Sequence, residues 1–399
     1  MEGSLNKKRI LEWTAEEAII YLLFVSAFFH FAITAVMILV ALVFILRDKK
    51  NISTIFSHPG SRFIPAFSAF TAVVALVLKN WVGAACSVGF LLILIISLWA
   101  RSNMKRTTFE KALSFCSIVS CVLTPFAYVQ ATFFPTVDER VTLWFFNSNY
   151  MAFMCLIAFT ISLYKLFVGK GHLWIYVVSA ACNLISMYYC SSIFIWIDVF
   201  VVAILLIILF KKWPLLAIIF GVGVVVCIAL FLNPQLLPRW YAVDNATDFR
   251  FSIWKAAMDA IKKSPLFGYG FLAFNLLNGN YPEAFAAPHT HNILMESFLD
   301  FGIIGTALLL PYFVFYFKNL KKCYEYSVNR NTTNLILTLM ITTAVHGFID
   351  IVFLWIQTGL ILALIMGGLG MDEKLLKRVS QHDEEPTPKP SQETESGAL

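Results

Sequence analysis

The sequence predicts an all-α, polytopic membrane protein with about twelve transmembrane helices and a large, partly helical external loop between the ninth and tenth. Three observations predict it. Of 399 residues, 59% are hydrophobic and only 14% charged, a balance that no single soluble core requires. Long apolar runs recur from Ile19 to Leu369, each near the length that a bilayer demands of a helix. Lys and Arg cluster in segments that alternate along the chain, which orients the spans by the positive-inside rule.

Taken in order, candidate spans lie near 18–31, 32–46, 62–78, 81–100, 110–128, 148–165, 172–190, 192–210, 214–232, 293–317, 333–348 and 351–370. The first pair reads as a hairpin, because His30 and Phe31 interrupt the apolar run and because two cytoplasmic termini require an even number of spans. Basic residues at 7–9, 47–62, 101–111, 165–170, 211–212, 318–330 and in the C-terminal tail then face the cytoplasm. Segments 129–147 and 233–292 lie outside. Met1–Lys8 has no apolar core followed by a small-residue cleavage site, so no cleavable signal is expected. The eight cysteines sit in or at the ends of spans without a C-x-x-C pattern, which disfavours disulfide or zinc frameworks. Residues 1–380 read as one integral membrane domain, and the Pro- and Glu-rich stretch 381–399 as a disordered cytoplasmic tail.

The loop 233–292 carries the chemistry-bearing residues. Thr247 or Asp248 offers an N-cap for a helix that runs to about Lys263 and stops at Ser264-Pro265. On it Arg250, Trp254, Ala257 and Ile261 share a face, setting a cation beside an apolar stripe. "PLFGYGF" at 265–271 has a G-x-G without the strand or third glycine of a nucleotide fingerprint, so its glycines read as tight-turn residues. In "PHTHNILMESFLDFGIIGT" at 288–306, a helix beginning near His289 would align His291, Met295, Phe298, Gly302 and Gly305 on one stripe. The glycines would admit a neighbouring helix. Asn292, Glu296 and Asp300 form a second stripe, whose two carboxylates suggest a hydrated pocket open to the outside. A histidine there suits a general base near neutral pH. Metal binding is less favoured, because on a helix His289 and His291 would point about 200° apart, and His172 and His346 show no ligand spacing.

The run His291-Asn292, nine residues, Gly302, two residues, Gly305-Thr306 resembles the signature of the bacterial O-antigen ligase family, within the ligase and polymerase superfamily of lipid-linked polysaccharide assembly. "RFSIWKAAMDAIKKSPLFGYG" is similar to that superfamily's Arg, Trp, Ala, Pro-x-x-Gly-x-Gly pattern, and "NSNYMAF" at 147–153 and "HGFID" at 346–350 also resemble family segments. The resemblance implies a glycosyltransferase of the bacterial inner membrane. It would move a glycan from an undecaprenyl pyrophosphate carrier to an acceptor sugar hydroxyl, on lipid A-core or another lipid-linked repeat unit, at the outer face. It also implies no cofactor, no metal and no nucleotide sugar. The expected partners are the lipid-linked donor, the saccharide acceptor and membrane lipids, and no nucleic acid. His291 matches the family histidine that activates the acceptor hydroxyl, and Arg250 a family arginine that stabilises the departing pyrophosphate. Arg239, Trp254, Asn292 and Glu296 complete the candidate substrate-binding set. In one respect the chain departs from the pattern. The family places a second arginine at the turn between the seventh and eighth spans, where Ser191, Ser192 and Ile193 stand here. Arg239, Arg140 and Lys79 are external cations available to replace it, Arg239 being preferred.

A polymerase of repeat units remains an alternative within the superfamily. A transporter of lipid-linked cargo, suggested by the span count and by Glu296 and Asp300, is a more distant one, and a non-catalytic envelope scaffold is the third class.

Overall fold

The computed structural model describes residues 13–136, 138–236, 239, 243–284 and 287–375, and among these every regular element is helical. The predicted tail 381–399 lies outside the described residues. The chain forms α1 (Ala15–Ser26), α2 (Phe31–Arg47), α3 (Lys49–Phe56), α4 (Phe63–Val77), α5 (Trp81–Asn103), α6 (Arg106–Ser120), α7 (Leu123–Phe133) and α8 (Ser148–Val168). It continues with α9 (Leu173–Cys190), α10 (Ile195–Leu209), α11 (Trp213–Leu232), α12 (Val243–Lys263), α13 (Ala273–Leu277), α14 (Ile293–Glu325), α15 (Arg330–Gly347) and α16 (Ile356–Gly367).

The expected hairpin at His30 is present, with the His30 ring accepting from Ala32 N–H as the cap of α2. The count of twelve spans is not reproduced. Six helices among the described residues are long and apolar enough to cross a membrane, and a seventh if α2 and α3, bent by 101°, are taken together. The reason is length. A helix of 12 residues such as α1 rises only about 18 Å, well short of a hydrocarbon core of about 30 Å. Each of the twelve apolar windows nonetheless falls on a helix, the one at 110–128 covering both α6 and α7.

Helix α8 is the axis of the bundle, buried almost throughout, whereas the even more apolar α11 has no buried residue and packs on the bundle chiefly along α10. Around α8 the packing is partly polar. Ser117 on α6, Ser162 on α8 and Ser179 on α9 lie within 2.9 Å of one another, and Asn183 donates to Ser120 at 2.8 Å. In an apolar surround such small hydroxyl contacts admit close backbones and join helices without bulk.

The bundle has two chemically different ends. At one, the basic segments meet: Arg101 pairs with Glu373, Lys165 with Glu110 and Arg106 with Asn329. At the other lie the start of α8, the α9–α10 turn, the start of α14 and the end of α15. Segment 233–292 joins α11 to α14 and folds over this second end. It carries its own small core, in which Ile253, Ala257 and Ala260 of α12 pack with Phe274 of α13 and Leu299 of α14.

Candidate active site

The site is built on a broken helix. Within α14, Gly302 adopts φ 59°, ψ −170°, which interrupts the hydrogen-bond ladder and frees carbonyls before it and N–H groups after it. The turn 265–270 takes up both sets. Tyr269 N–H donates to Leu299 O (3.0 Å) and Gly270 N–H to Asp300 O (2.8 Å), while Ile303 and Ile304 N–H donate to the carbonyls of Pro265 (2.9 Å) and Leu266 (3.0 Å). The approach leaves no room for side chains. A Cβ on Gly268 would lie 2.5 Å from Asp300 O, and one on Gly302 would collide with the Leu266 carbonyl. The G-x-G is thus a turn, as expected, with the further task of completing α14. Of the two glycines expected to admit a helix, only Gly305 does so, against Phe70 of α4.

Above the break, α14 begins at Ile293 and not near His289. Asn292 is the N-cap, its Oδ1 accepting from Leu294 and Met295 N–H at 3.0 and 3.1 Å. His291 precedes the helix with φ 54°, so the single stripe from His291 to Gly305 is corrected: the cap forces the chain to turn before the helix starts. The reason given for separating the two histidines falls with it. Their rings lie 4.2 Å apart and converge on Asp350, just beyond the end of α15.

Asp350 is the centre of this arrangement. It is almost fully buried and accepts from His291 Nδ1 (3.0 Å), Ile351 N–H (2.8 Å) and Asn149 Nδ2 (2.5 Å). Burial works against its charge, but the hydrogen bond from His291 and the nearby imidazoles hold its carboxyl well below the usual range. An ionised carboxylate only accepts, so His291 Nδ1 carries the hydrogen and Nε2 is left as the basic nitrogen. His289 is placed differently. Its Nδ1 accepts from His291 N–H at 3.2 Å, its Nε2 stands 3.6 Å from Asp350, and burial drives its pKa down to about 4, keeping it neutral. One ligand atom from each of His289, His291 and Asp350 lies within 4.8 Å of the others, a geometry that can accommodate a divalent cation.

Beside Asp350 a small cavity is lined by Arg140, Asn149, Arg239, Arg250 and His346, with Ser191–Phe194 forming one wall. Arg250 of α12 donates Nε–H to Ile349 O (3.3 Å) and stacks over the Phe194 ring at 4.8 Å. Burial lowers its pKa while Asp350 opposes that shift, and so its charge is held against the cavity. His346 pairs through Nδ1 with Asp198 of α10 at 2.5 Å, and its buried Nε2 finds no hydrogen-bond partner among the described residues.

The other expected site residues serve the loop. Trp254 Nε1–H donates to Thr290 O (3.0 Å), bracing the strand of chain that carries His291. Glu296 Oε2 accepts from Thr290 N–H (2.7 Å), and its other oxygen has no partner among the described residues. The open hydrated pocket expected around Glu296 and Asp300 is not found. Both are buried, and Asp300 accepts from Leu272 and Ala273 N–H at 3.0 and 2.9 Å, so backbone donors replace water. Helix α12 also starts at Val243, earlier than the Thr247 or Asp248 cap expected.

Sequence reasoning assigned no role to Asp350, Asn149, His346 or Asp198. The first three lie in "NSNYMAF" and "HGFID", segments whose resemblance gave the only signal; about 200 residues separate Asn149 from Asp350, so no local spacing links them. No curated protein matches the chain. Residues 178–310, from α9 into α14 and including Arg239, Arg250 and His291, match the family model described as O-antigen ligase.

Proposed function

We propose that this multi-pass membrane enzyme transfers a glycan from an undecaprenyl pyrophosphate carrier to a sugar hydroxyl at the outer face of the bacterial inner membrane. The observation that carries the reading is the His291–Asp350 pair beside Arg250, inside and adjoining the O-antigen ligase segment. Asp350 fixes the imidazole tautomer, and His291 Nε2 takes the proton of the acceptor hydroxyl as that oxygen attacks the anomeric carbon. The glycosidic C–O bond to pyrophosphate breaks as the new bond forms. Negative charge then grows on the leaving oxygen, where a guanidinium stabilises it through charge-assisted hydrogen bonds. A single displacement inverts the anomeric centre. The scheme needs no metal; Asp350 is already engaged by three donors, and His291 must keep Nε2 free to act as base.

The two ends of the bundle support the outer-face placement. The end where Arg101, Arg106 and Lys165 gather faces the cytoplasm by the positive-inside rule, which turns the histidine end outward.

The test is genetic and chemical. His291→Ala, made at normal membrane level, is expected to abolish glycan transfer and to accumulate carrier-linked donor; an unchanged glycan profile would sink the assignment. In a deletion strain, free polymer with no attached glycan identifies a ligase. Single repeats attached to the acceptor identify a polymerase.

A further inference from the structure

The α9–α10 turn lacks the arginine that the family resemblance expects, yet the space around it is strongly cationic. Ser191 closes α9 with φ 51°, and Ser191, Ser192 and Ile193 form one wall of the cavity described above. Facing them is Arg140, delivered from the loop between α7 and α8. That loop is pinned to the same turn. Thr136 Oγ1 donates to Arg140 O (2.8 Å) and accepts from Arg140 N–H (2.9 Å), and Val141 N–H donates to Tyr189 O (3.2 Å).

The guanidinium itself is anchored on two sides. Its Nε–H donates to Cys190 O at 3.2 Å, capping the last turn of α9, and Nη2 donates to Asn149 Oδ1 at 2.5 Å. The remaining N–H groups of its fork are left for another acceptor. Asn149 is also the residue that donates to Asp350, so Arg140 and the His291–Asp350 pair are positioned by one amide.

The cavity then holds three arginines, Arg140, Arg239 and Arg250, against one carboxylate, Asp350. Like charges gathered in a partly buried space repel unless an anion joins them. Burial and the neighbouring Arg239 both work against the charge on Arg140. An independent feature points the same way: His346 lines the cavity with a buried Nε2 that has no partner among the described residues. Held by Asp198 through Nδ1, the ring is fixed with this nitrogen available to a ligand in the cavity.

We propose that Arg140 is the second cation of a diphosphate subsite, doing from the α7–α8 loop what the family arginine would do from the α9–α10 turn. The small side chains at 191 and 192 are the counterpart of this relocation, because they leave the Arg140 fork unobstructed. This rests on the transferase reading and adds to it the residue that holds the donor's second phosphate.

The experiment uses the full chain purified in detergent, titrated with inorganic pyrophosphate by calorimetry. Arg140→Gln keeps an amide donor for Cys190 O and Asn149 but removes the charge, and is expected to weaken pyrophosphate binding at least about tenfold. Adding Ser192→Arg to Arg140→Gln is expected to restore most of the lost affinity, a rescue that a merely structural role for Arg140 would not permit. If Arg140→Gln binds like the wild type while Arg250→Gln does not, the relocation is overturned and the transferase reading stands. Failure of Ser192→Arg to rescue a double variant that melts at the wild-type temperature also overturns it. A wild-type protein that binds no pyrophosphate overturns both.

Discussion

Two imidazole–carboxylate pairs sit on one end of α15, and they differ in a way that separates chemistry from binding. His291–Asp350 joins the start of α14 to the residue just past α15, with the His291 side chain 17% exposed. His346–Asp198 joins α15 to α10 one turn deeper, with both side chains 2% exposed. The shallower histidine can meet a substrate hydroxyl at Nε2 and return its proton to solvent. The deeper one reaches only the small cationic cavity. On the proposed function, depth would give the two pairs different work: a base must be reached by an acceptor and by water, whereas a group that holds a phosphate need only be fixed.

The most severe way to break this contrast is His291→Ala. Transfer is expected to fall by about 10²–10⁴, the usual contribution of a positioned base, with the loss in kcat when donor consumption is measured in proteoliposomes. Next in size is Gly302→Ala, which removes the platform beneath the shallow pair. With φ at 59° and the Leu266 carbonyl in the way, it is expected to destabilise the fold by about 1–3 kcal/mol or more. A lower melting temperature in detergent, accompanied by loss of transfer, would confirm it; wild-type melting would refute the helix-break account.

The deep pair should respond more mildly. His346→Gln combined with Asp198→Asn, so that no buried carboxylate is left unpaired, is expected to raise the donor KM about tenfold while kcat changes little. A collapse in kcat with KM unchanged would instead give the deep pair a part in the chemistry.

A pH effect concerns His289, held neutral down to about pH 4 by burial, against 6.5 for an unperturbed imidazole. Between these values the unfolded chain binds the extra proton and the folded chain does not. Stability therefore rises with pH across that window, and the increment present above pH 6.5 is lost as pH falls toward 4. The slope is expected to approach about 1.4 kcal/mol per pH unit for this one group. His289→Gln should flatten it, and melting curves between pH 4 and 7 measure the difference.

Much of the architecture was legible because membranes impose a coarse code. Apolar run length, the turn at His30, the start of α8 at Ser148 and the bounds of segment 233–292 all follow from composition and capping residues. The span count is less direct, because helices as short as α1 or α16 occupy apolar windows without the length to cross a membrane by themselves. Burial was equally hidden. Helices α8 and α11 are both strongly apolar, yet one is the axis of the bundle and the other has no buried residue, since hydropathy does not distinguish a protein neighbour from lipid. In the site, His291 and Arg250 could be singled out from local runs. Asp350 and Asn149 could not, since they meet across about 200 residues; Arg140 was one of three cations available for the missing arginine, and only the fold brings it to the α9–α10 turn.

By itself, then, the sequence determined a multi-pass helical protein and singled out the segment, with His291 and Arg250, on which the proposed chemistry rests, because those features depend on local composition and on short fixed spacings. The tertiary structure alone decided that His289 and His291 meet, that the G-x-G turn completes α14 at Gly302, and that Arg140 stands beside Ser191 and Ser192. These are contacts between distant segments. They are set by how capping groups, broken ladders and buried charges find partners in three dimensions, which no local pattern records.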